Sequence, residues 1–314
     1  MIITVTLNPA IDQTLVVSHL VPGDTNRVKA GRFDPGGKGI NVSRVIHELG
    51  GQSLAMGFAP GSLGRYIEHT LAEAGIACDF LHTRGQTRTN ITIVDEARSV
   101  QTVISAPGPE TDPRHFDRLL ERVRRHVQAG DWVVLAGSIP PPLPPTVYRA
   151  LVEMVQRRGA KAVLDADGDA LAAGLEARPY MMKANRWEVE RLLGHSLPDA
   201  TATVRAAEGI HQGGVAIVVV TRGREGAVAV SDEGVWWATA PRVHPTSTVG
   251  AGDALLAAVV LVLGRGGPLT EGLQLGCAAG TATCLTPGTE LCHCQEVERF
   301  LPRVRIQSLS QVAL

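Results

Sequence analysis

The chain is organised around the stretch Thr246-Ser247-Thr248-Val249-Gly250-Ala251-Gly252-Asp253, and an apolar run over residues 254–263 follows it at once. The run is rich in Ala and Leu and ends before Gly264, so it predicts a helix. Gly250 and Gly252 allow a tight turn without obstructing side chains, which would leave the first N–H groups of the helix to bind an anion. Asp253 in such a turn has two interpretations, a proton acceptor or an acidic helix cap.

Composition narrows the class of protein. With 314 residues, of which 44% are hydrophobic and 19% charged, the chain can bury a sizeable core. A net charge of −1 provides no basic surface for nucleic acid. Residues 1–7 lack the positive segment of a secretory signal, and the run 254–263 is about half as long as a membrane span. Five cysteines, an odd number, suggest reduced thiols, so we expect a cytoplasmic protein that contacts neither nucleic acid nor membrane.

Strands and helices alternate along most of the chain, which predicts an α/β fold with a mostly parallel sheet and helices on both faces. The predicted strands are residues 2–7, 53–58, 132–136, 162–165, 180–183, 215–221, 227–230 and 235–238. The predicted helices are residues 38–49, 63–74, 113–127, 144–157, 188–193 and 201–212. Two pairs of β-type segments, 13–21 with 27–33 and 89–94 with 99–104, interrupt this rhythm and predict a separate small sheet.

Polar residues follow several of these strands, and each has a plain alternative. Gly36-Gly37-Lys38-Gly39 opens a helix but is not a Walker A motif; it is either a ligand loop or a glycine turn with a solvated lysine. Asp12 could accept hydrogen bonds from sugar hydroxyls or form an Asx turn. The fork of Arg88 suits a phosphate, although an arginine on a surface sheet is usually solvated.

Asn185 and Glu188 form an N-x-x-E pattern after a predicted strand. One helical turn would place both on the same side, where they could hold hydrated Mg²⁺ together with phosphate oxygens. A capping box fits the same spacing almost as well. Cys292-His293-Cys294 lacks the paired spacing of a zinc site, so incidental thiols near a helix start are the simpler interpretation.

Three motifs that follow one another along the chain together resemble the ribokinase-like sugar kinases of the phosphofructokinase B type. They are Gly36-Gly37-Lys38-Gly39-Ile40-Asn41-Val42, Lys183-Ala184-Asn185-Arg186-Trp187-Glu188 and residues 246–253. The resemblance extends from Thr4 to Thr281, with Ala184 where the family has proline. It implies a three-layer α/β/α fold, one domain over residues 1–314. It also implies a β lid, inserted at about 12–34 and 86–106, that covers the sugar and often makes a dimer contact.

The resemblance also implies ATP and Mg²⁺, with a homodimer as the expected assembly. Asp253 would take a proton from the acceptor hydroxyl, while the amides of Gly250, Ala251 and Gly252 stabilise the migrating phosphoryl group. The expected ligands of the sugar phosphate are Asp12, Gly37, Lys38, Asn41, Arg88, Asn90, Ser138 and, as a second basic candidate on the lid, Arg27. The expected nucleotide ligands are Lys183, Asn185, Thr221, Arg222, Gly223, Gly226, Thr248, Val249, Ala279 and Thr283. Asn185 and Glu188 would hold the metal through water and phosphate.

The substrate is less well defined by these residues. Gly-Gly-Lys-Gly with Thr87-Arg88-Thr89-Asn90 is most similar to the 1-phosphofructokinases, which convert fructose 1-phosphate to fructose 1,6-bisphosphate, and tagatose-6-phosphate kinases share much of this pattern. Residues 278–292 are more similar to the minor bacterial 6-phosphofructokinases, which have glycine at the position of Lys38. A nucleoside or simple-sugar kinase would leave Lys38 and Arg88 without a partner. A non-catalytic sensor could share the same fold, and a dehydrogenase lacks support because no G-x-G-x-x-G follows the first strand.

Overall fold

The computed structural model describes residues 1–309, whose strands form two sheets. The strands are β1 (Ile2–Thr6), β2 (Ala10–Val17), β3 (Val28–Gly36), β4 (Leu54–Pro60), β5 (Ala77–Thr83), β6 (Arg88–Asp95), β7 (Val100–Ile104), β8 (Trp132–Ala136), β9 (Lys161–Asp165), β10 (Met181–Asn185), β11 (Ile217–Thr221), β12 (Ala227–Ser231), β13 (Gly234–Thr239) and β14 (Arg305–Leu309).

The helices connect these strands and cover the larger sheet. They are α1 (Lys38–Glu48), α2 (Gly61–Glu73), α3 (Pro113–His126), α4 (Thr146–Arg157), α5 (Gly168–Leu175), α6 (Arg186–Leu193), α7 (Ala200–Gln212), α8 (Ala251–Gly264), α9 (Leu269–Thr283) and α10 (Cys294–Phe300), with 3₁₀ turns at Gly223–Glu225 and Leu301–Arg303. Within residues 1–309, no helix combines the length and the apolar character needed to cross a membrane.

The larger sheet has the order β14-β13-β12-β11-β10-β9-β8-β1-β4-β5. The seven strands from β11 to β5 pair in parallel, and β12, β13 and β14 extend the sheet in antiparallel pairs. Because parallel strands end at the same edge of a sheet, the residues that follow β1, β8, β9, β10 and β11 meet on one side. This edge is where ligands bind in open α/β sheets, and the polar residues noted in the sequence lie there.

Hydrophobic cores lie on both faces of this sheet, which confirms the predicted three-layer fold. Helices α3 to α7 pack on one face, and α1, α8, α9 and α10 pack on the other. Helix α2 covers β4 on the same face as α1. Helix α8 lies between the sheet and α9, so its residues 253–261 are all buried and it shows no polar face.

The sequence interpretation missed elements that are short or poorly patterned. Strand β5 mixes Cys78, Asp79 and His82 with apolar residues, and its half-exposed pattern carries no clear alternation. Helix α5 spans only eight residues. The edge strand β14 is held by its antiparallel pairing with β13 rather than by burial, because its residues are largely exposed.

The small sheet has the order β3-β2-β6-β7 and occupies residues 10–36 and 88–104, close to the expected insertions. Strand β2 pairs antiparallel with β3 and parallel with β6, and β7 closes the edge. The first strand ends at Val17 rather than at residue 21, because the following loop is folded on itself. In that loop, Asn26 exchanges side-chain hydrogen bonds of 2.8 and 2.9 Å with the backbone of Val21.

One face of the lid, as we call this small sheet, rests on two loops of the main domain. Thr14 lies directly against Gly288, and Thr289 Oγ1 donates to Asp34 Oδ2 over 3.0 Å. Gln101 Nε2 donates to the carbonyl of Thr246 over 2.5 Å. The lid is therefore closed over the carboxyl edge of the main sheet, and its opposite face is exposed.

Candidate active site

The turn before α8 has the geometry of an anion site. Gly250 caps the helix with a φ of 79°, and no side chain bonds to the first turn. A β-carbon at Gly250 would lie 2.7 Å from Leu291 Cδ2, so both the backbone conformation and the space favour glycine. The N–H groups of Gly252 and Asp253 are first-turn donors at the positive end of the helix dipole, while that of Ala251 is directed at Thr248 O over 3.5 Å. This backbone can therefore bind a phosphoryl group.

Asp253 is the third residue of α8 and is only 7% exposed. Its Oδ2 accepts a hydrogen bond of 2.8 Å from Asn41 Nδ2, which joins residues 212 positions apart. Burial and the charge of Asp165 raise the pKa of Asp253 to about 6, against the opposing effects of Lys183, Lys38 and Asn41. At neutral pH the carboxylate is therefore ionised, yet it is a stronger base than an ordinary aspartate.

Two lysines share the carboxylate of Asp165, which is completely buried at the end of β9. Lys38 Nζ lies 2.6 Å from Oδ1, and Lys183 Nζ lies 2.8 Å from Oδ2. Lys38 also contacts Glu188 Oε1 at 3.3 Å. Burial works against a charge on Lys38, but Asp165, Glu188 and Asp253 outweigh it, so the pKa of Lys38 is raised. Lys38 is thus a fixed cation.

The second lysine reaches the anion turn itself. A β-carbon at Gly252 would lie 2.8 Å from Lys183 Nζ, so the ammonium rests against the first turn of α8. Lys183 comes from β10 and is almost fully buried. The structure therefore brings Lys183, predicted as a nucleotide ligand, next to the turn that contains Asp253.

Asn185 and Glu188 form the capping box that was one of the two interpretations of this motif. Asn185 N donates to Glu188 Oε2 over 2.7 Å, and Glu188 N donates to Asn185 Oδ1 over 2.9 Å. Among residues 1–309, no cluster of three or more His, Cys, Asp or Glu side chains could hold a metal ion, and this includes the Cys292-His293-Cys294 segment. A metal held here would need oxygens from the nucleotide and water, and the indirect role of Asn185 and Glu188 stays a prediction.

Asp12 and Asn90 lie side by side on the closed face of the lid. Asn90 Nδ2 donates to Asp12 Oδ1 over 2.8 Å. A β-carbon at Gly36 would overlap the Asp12 carboxylate, which explains glycine at that position. Burial raises the pKa of Asp12, while the Asn90 hydrogen bond and the charge of Arg88 oppose the rise. The pair places a carboxylate and an amide on this face of the lid, and their predicted role in binding a sugar stays a prediction.

Arg88 is oriented by main-chain carbonyls rather than by a carboxylate partner. Its two terminal nitrogens donate to Ala106 O over 2.8 Å and to Asn8 O over 3.1 Å. Asn8 in turn donates from Nδ2 to Ser138 Oγ over 3.1 Å, so Ser138 lies in the same group. The guanidinium therefore keeps its charge uncompensated by any direct ion pair within residues 1–309, as a phosphate ligand would require.

Four buried polar atoms at this end of the site have no hydrogen-bond partner within the described part of the chain. They are Thr6 Oγ1, Asn8 Oδ1, Asn41 Oδ1 and Arg88 Nε. Leaving such atoms unpaired costs about 1–3 kcal/mol each. Gly37 and Gly39 pack onto Thr6 at the start of α1, which brings the glycine loop to the same place.

Sequence reasoning singled out Asp165 by its position after a strand but assigned it no ligand, and it did not name Thr6 or Asn8 as site residues. All three lie at or just beyond the carboxyl end of a strand of the main sheet, the position that had identified Ser138 and Asn185. Applied to the first strand as well, the same criterion would have found Thr6 and Asn8.

Arg27 is the predicted sugar-phosphate ligand that the structure does not bring to this site. It is exposed and precedes β3 at the far end of the lid. Asp34, which pairs with Asp12, is seven residues further along, a distance of about 23 Å for extended chain. Within one copy of the chain, Arg27 therefore lies away from the Asp12 side of the lid.

The predicted nucleotide side is built from the ends of β10 and β11. Thr221 pairs with Asn185 across these strands. The guanidinium of Arg222 is buried, where it donates to Thr203 Oγ1 over 2.6 Å and to Leu197 O over 3.1 Å. Its charge thus holds the loop, so only the backbone of the Arg222–Gly223 turn could face a nucleotide. Gly226 needs to be glycine, because a β-carbon there would overlap the carbonyl of Ala238.

The remaining predicted nucleotide residues order the approach to the anion turn. Ser247 Oγ accepts from Val249 N over 3.3 Å, and Thr248 O accepts from Ala251 N over 3.5 Å. Thr283 Oγ1 donates to Ala279 O over 2.9 Å and accepts from Cys292 N over 3.2 Å. These contacts support the loop, and a role in binding the nucleotide stays a prediction.

The chain is similar in sequence to known carbohydrate kinases. The model of a family described as pfkB family carbohydrate kinase matches residues 5–295. A 1-phosphofructokinase of Bacillus subtilis is 34% identical over 311 residues, which cover 98% of this chain and all of that protein. An ATP-dependent 6-phosphofructokinase isozyme 2 of Mycobacterium tuberculosis is also 34% identical, over 95% of this chain and 88% of its own length.

A solved structure has the same architecture. It is phosphofructokinase-2 from Escherichia coli in complex with substrates and products, and it superposes with a TM-score of 0.92 at 31% sequence identity. The match covers 96% of this chain and 98% of the other.

Proposed function

The chain belongs to the pfkB family of carbohydrate kinases and is an ATP-dependent sugar kinase; from this premise we propose that it phosphorylates a ketohexose phosphate. The substrate we propose first is fructose 1-phosphate, which would become fructose 1,6-bisphosphate. The observation that carries the proposal is the Asp253 carboxylate, aimed by Asn41 at 2.8 Å within an anion-binding turn. The charged fork of Arg88, fixed by two carbonyls, supports a substrate that already bears a phosphate.

Transfer would proceed by in-line displacement at the γ-phosphorus of ATP. Asp253 takes the proton of the acceptor hydroxyl, the oxygen forms a bond to phosphorus, and the bond to the β,γ-bridging oxygen breaks to release ADP. The amides of Gly252 and Asp253 stabilise the charge on the phosphoryl oxygens during this step. Positioning and electrostatics provide most of the acceleration in phosphoryl transfer, so few side chains need to react.

The contacts of the two substrate-side cations support different tasks for them. Arg88 lies with Asn8 and Ser138, whereas Lys38 lies with Asp165 and Glu188 near Asp253. We assign Arg88 to the phosphate already on the sugar and Lys38 to the phosphoryl group in transit. This differs from the sequence interpretation, which gave both cations to the sugar phosphate.

Magnesium would enter with the nucleotide. Asn185 and Glu188 are the residues that would hold it, through water and phosphate oxygens, because the chain offers no closed set of metal ligands among residues 1–309. When bound, the ion would neutralise part of the charge on the nucleotide phosphates.

Fructose 6-phosphate is the second substrate to consider, because the 6-phosphofructokinase of M. tuberculosis is as similar to the chain as the 1-phosphofructokinase of B. subtilis. Tagatose 6-phosphate is the third. All three carry a phosphate for Arg88 and a hydroxyl for Asp253, so the residues described above serve any of them.

Turnover on a panel of acceptors tests the proposal. ADP release would be measured with fructose 1-phosphate, fructose 6-phosphate, tagatose 6-phosphate and unphosphorylated fructose at equal concentrations. We expect the highest kcat/KM with fructose 1-phosphate and the lowest with fructose. A preference for fructose would remove the phosphosugar assignment, and binding of sugar phosphate without any turnover would support a non-catalytic sensor.

We also propose that the lid forms a homodimer. The register of the small sheet places Val28, Phe33, Val100 and Ile104 on the face away from the active site, and each is about half exposed. A contiguous apolar sheet face on a small domain is typical of an interface with another protein. A second copy of the chain is the partner we propose.

A further inference from the structure

Asp165 has an arrangement that the proposed transfer step does not yet use. Its carboxylate is completely buried, and each oxygen takes one ammonium group, Lys38 at 2.6 Å and Lys183 at 2.8 Å. The two lysines come from different elements, the start of α1 and the strand β10. A single carboxylate thus fixes two cations that arrive from opposite sides of the β9 end.

The site contains more carboxylates than these two lysines can neutralise. Asp165, Glu188 and Asp253 carry three negative charges, and Lys38 and Lys183 carry two positive charges. Without Asp165, Glu188 and Asp253 would be the remaining carboxylates near the two ammonium groups. An ammonium that bonded directly to Asp253 would stabilise the ionised form of that carboxylate and weaken it as a proton acceptor.

We propose that Asp165 is a positioning residue that keeps the ammonium groups of Lys38 and Lys183 on the phosphoryl group in transit and away from Asp253. The inference rests on the proposed kinase function and extends it to a residue that does not touch the reacting atoms. Lys183 supports it directly, because its ammonium already lies against Gly252 in the anion turn. Lys38 supports it through its second contact, which is to Glu188 and not to Asp253.

The charged and polar groups that face Asp253 are Lys38 and Asn41 from α1, Asp165 from β9 and Lys183 from β10. Removing the charge of Asp165 acts on Asp253 in two ways. It removes a repulsive negative charge, and it releases two cations toward the remaining carboxylates, of which Asp253 is one. Both effects lower the pKa of Asp253, so the acidic limb of the kcat profile should move to lower pH.

The primary test is Asp165→Asn, which preserves size and removes the charge. We expect kcat to fall about 100-fold, as for a catalytic group displaced by about 1 Å, with KM for the phosphosugar within a few-fold of wild type. The acidic limb should move to lower pH. Asp167→Asn is the matched control, because Asp167 is an exposed carboxylate two residues away that pairs with Arg191 and caps α5. It should change neither kcat nor the limb.

A merely structural role would give a different pattern. Asp165→Asn would then lower the thermal stability while the limb stayed in place, and this result would overturn the proposal. A rise in phosphosugar KM with kcat unchanged would also overturn it. If Asp165→Asn does not fold, Asp165→Asn combined with Lys38→Met removes one surplus cation. If Asp165 acts through Lys38, kcat of the double variant should stay within a few-fold of Lys38→Met alone, and a much larger further loss would contradict the proposal.

A second readout needs no turnover and separates this inference from the kinase proposal. The folded pKa of Asp253 lies above its unfolded value, so the group makes the free energy of unfolding fall as pH rises from about 4 to about 6. The difference between wild type and Asp253→Asn isolates this slope. In the Asp165→Asn background we expect the slope to be confined to lower pH. If the wild type is inactive but the slope moves to lower pH in the Asp165→Asn background, the proposed phosphoryl transfer is wrong and the role of Asp165 toward Asp253 stands. If the slope does not move, the role proposed for Asp165 is wrong.

Discussion

At the scale of single residues, the site depends on a carboxylate, Asp253, that lies near two ammonium groups without forming a direct ion pair with either. Asp253 bonds to the neutral amide of Asn41, while the nearby ammonium groups bond to Asp165. The Asn41 hydrogen bond lowers the pKa of Asp253 less than the charges of Lys183 and Lys38 do, whereas a direct ion pair would lower it further. The choice of Asn at position 41 therefore preserves Asp253 as a base.

Replacing the base tests this arrangement most directly. Asp253→Asn should lower kcat by roughly 10²–10⁴, the usual range for loss of a general base, because the amide cannot accept the proton. Affinities for ATP and the phosphosugar should stay within a few-fold, since the anion turn is unchanged. Initial rates and equilibrium binding would be measured together. Turnover above a tenth of wild type would mean that Asp253 serves only as a cap.

Arg88→Ala tests the assignment of the phosphate already on the sugar. Loss of a charge-assisted hydrogen bond costs about 1.5–3 kcal/mol, so kcat/KM for the phosphosugar should fall roughly 10- to 150-fold. KM for ATP and the rate with free fructose should hardly change. The control is Arg84→Ala, an exposed arginine in the preceding loop. Equal losses with fructose and with the phosphosugar would show that Arg88 supports the fold of the lid instead.

Residue identity alone explains part of this site. Asp253 with its glycines, Asp12, Asn90 and the N-x-x-E pair could be selected from the sequence because motif and position agree. The partners of the lysines could not, because they depend on β9, β10 and α1 ending at one place in the folded sheet. Arg222 illustrates the same limit, since its guanidinium is used by Leu197 and Thr203, which lie in the chain before β11.

At the scale of elements, helix α6 shows that two interpretations of the N-x-x-E pair are compatible, although the sequence presented them as competing. Glu188 caps the helix through Oε2 and contacts Lys38 through Oε1. The cap therefore does not exclude a role toward the metal, because capping uses only Oε2 and leaves Oε1 on the side of Lys38.

Glu188→Gln separates the two functions. Glutamine is also accepted in a capping box, so we expect little loss of thermal stability. The concentration of Mg²⁺ that gives half-maximal rate should rise, with KM for the phosphosugar unchanged, because the negative charge on the metal side is lost. Glu190→Gln on the same helix is the control. An unchanged Mg²⁺ dependence together with a lower Tm would leave Glu188 as a cap alone.

The lid is the second element with a testable role. Phe33→Asp places a charge on its exposed face, where Phe33 is 56% exposed, and should shift a dimer toward monomer because burying an unpaired carboxylate is unfavourable. Molar mass would be measured by light scattering across a dilution series. Leu193→Asp, on α6 away from the lid, is the control and should not change the mass. A wild-type protein that is monomeric at every concentration would contradict the proposal.

At the scale of the whole molecule, the fold was more predictable than the site. Hydrophobic runs and glycine stops indicated the alternation of β1, α1, β8 and α8, because each of these elements is fully or largely buried and therefore strongly patterned. Strand β14 was missed because an exposed edge strand has no such pattern. The contacts of the lid with Thr246 and Gly288 could not be predicted from the sequence either, because they join segments far apart in the chain.

The pH dependence of turnover depends on all the charged groups of the site, because each of them affects the pKa of Asp253. Because the pKa of Asp253 is raised to about 6 and its base form is the active one, kcat should increase as pH rises through that value and then level off. Steady-state rates from about pH 4.5 to about pH 8, at saturating substrates, would show this. A profile that stays flat across the acidic range would mean that Asp253 titrates as an ordinary aspartate. A salt-matched buffer series controls for ionic strength.

The contact between Asn41 and Asp253 joins positions 212 residues apart, and this separation has a consequence during synthesis of the protein. On a translating ribosome, Asn41 emerges long before the residue that it will orient. A nascent chain that stops shortly before residue 253 contains the glycine loop and most strands but lacks the carboxylate that we propose as the proton acceptor. If Asp253 is the base, as we propose, interrupted synthesis yields fragments that cannot transfer phosphate, and activity is acquired only when the chain is nearly complete.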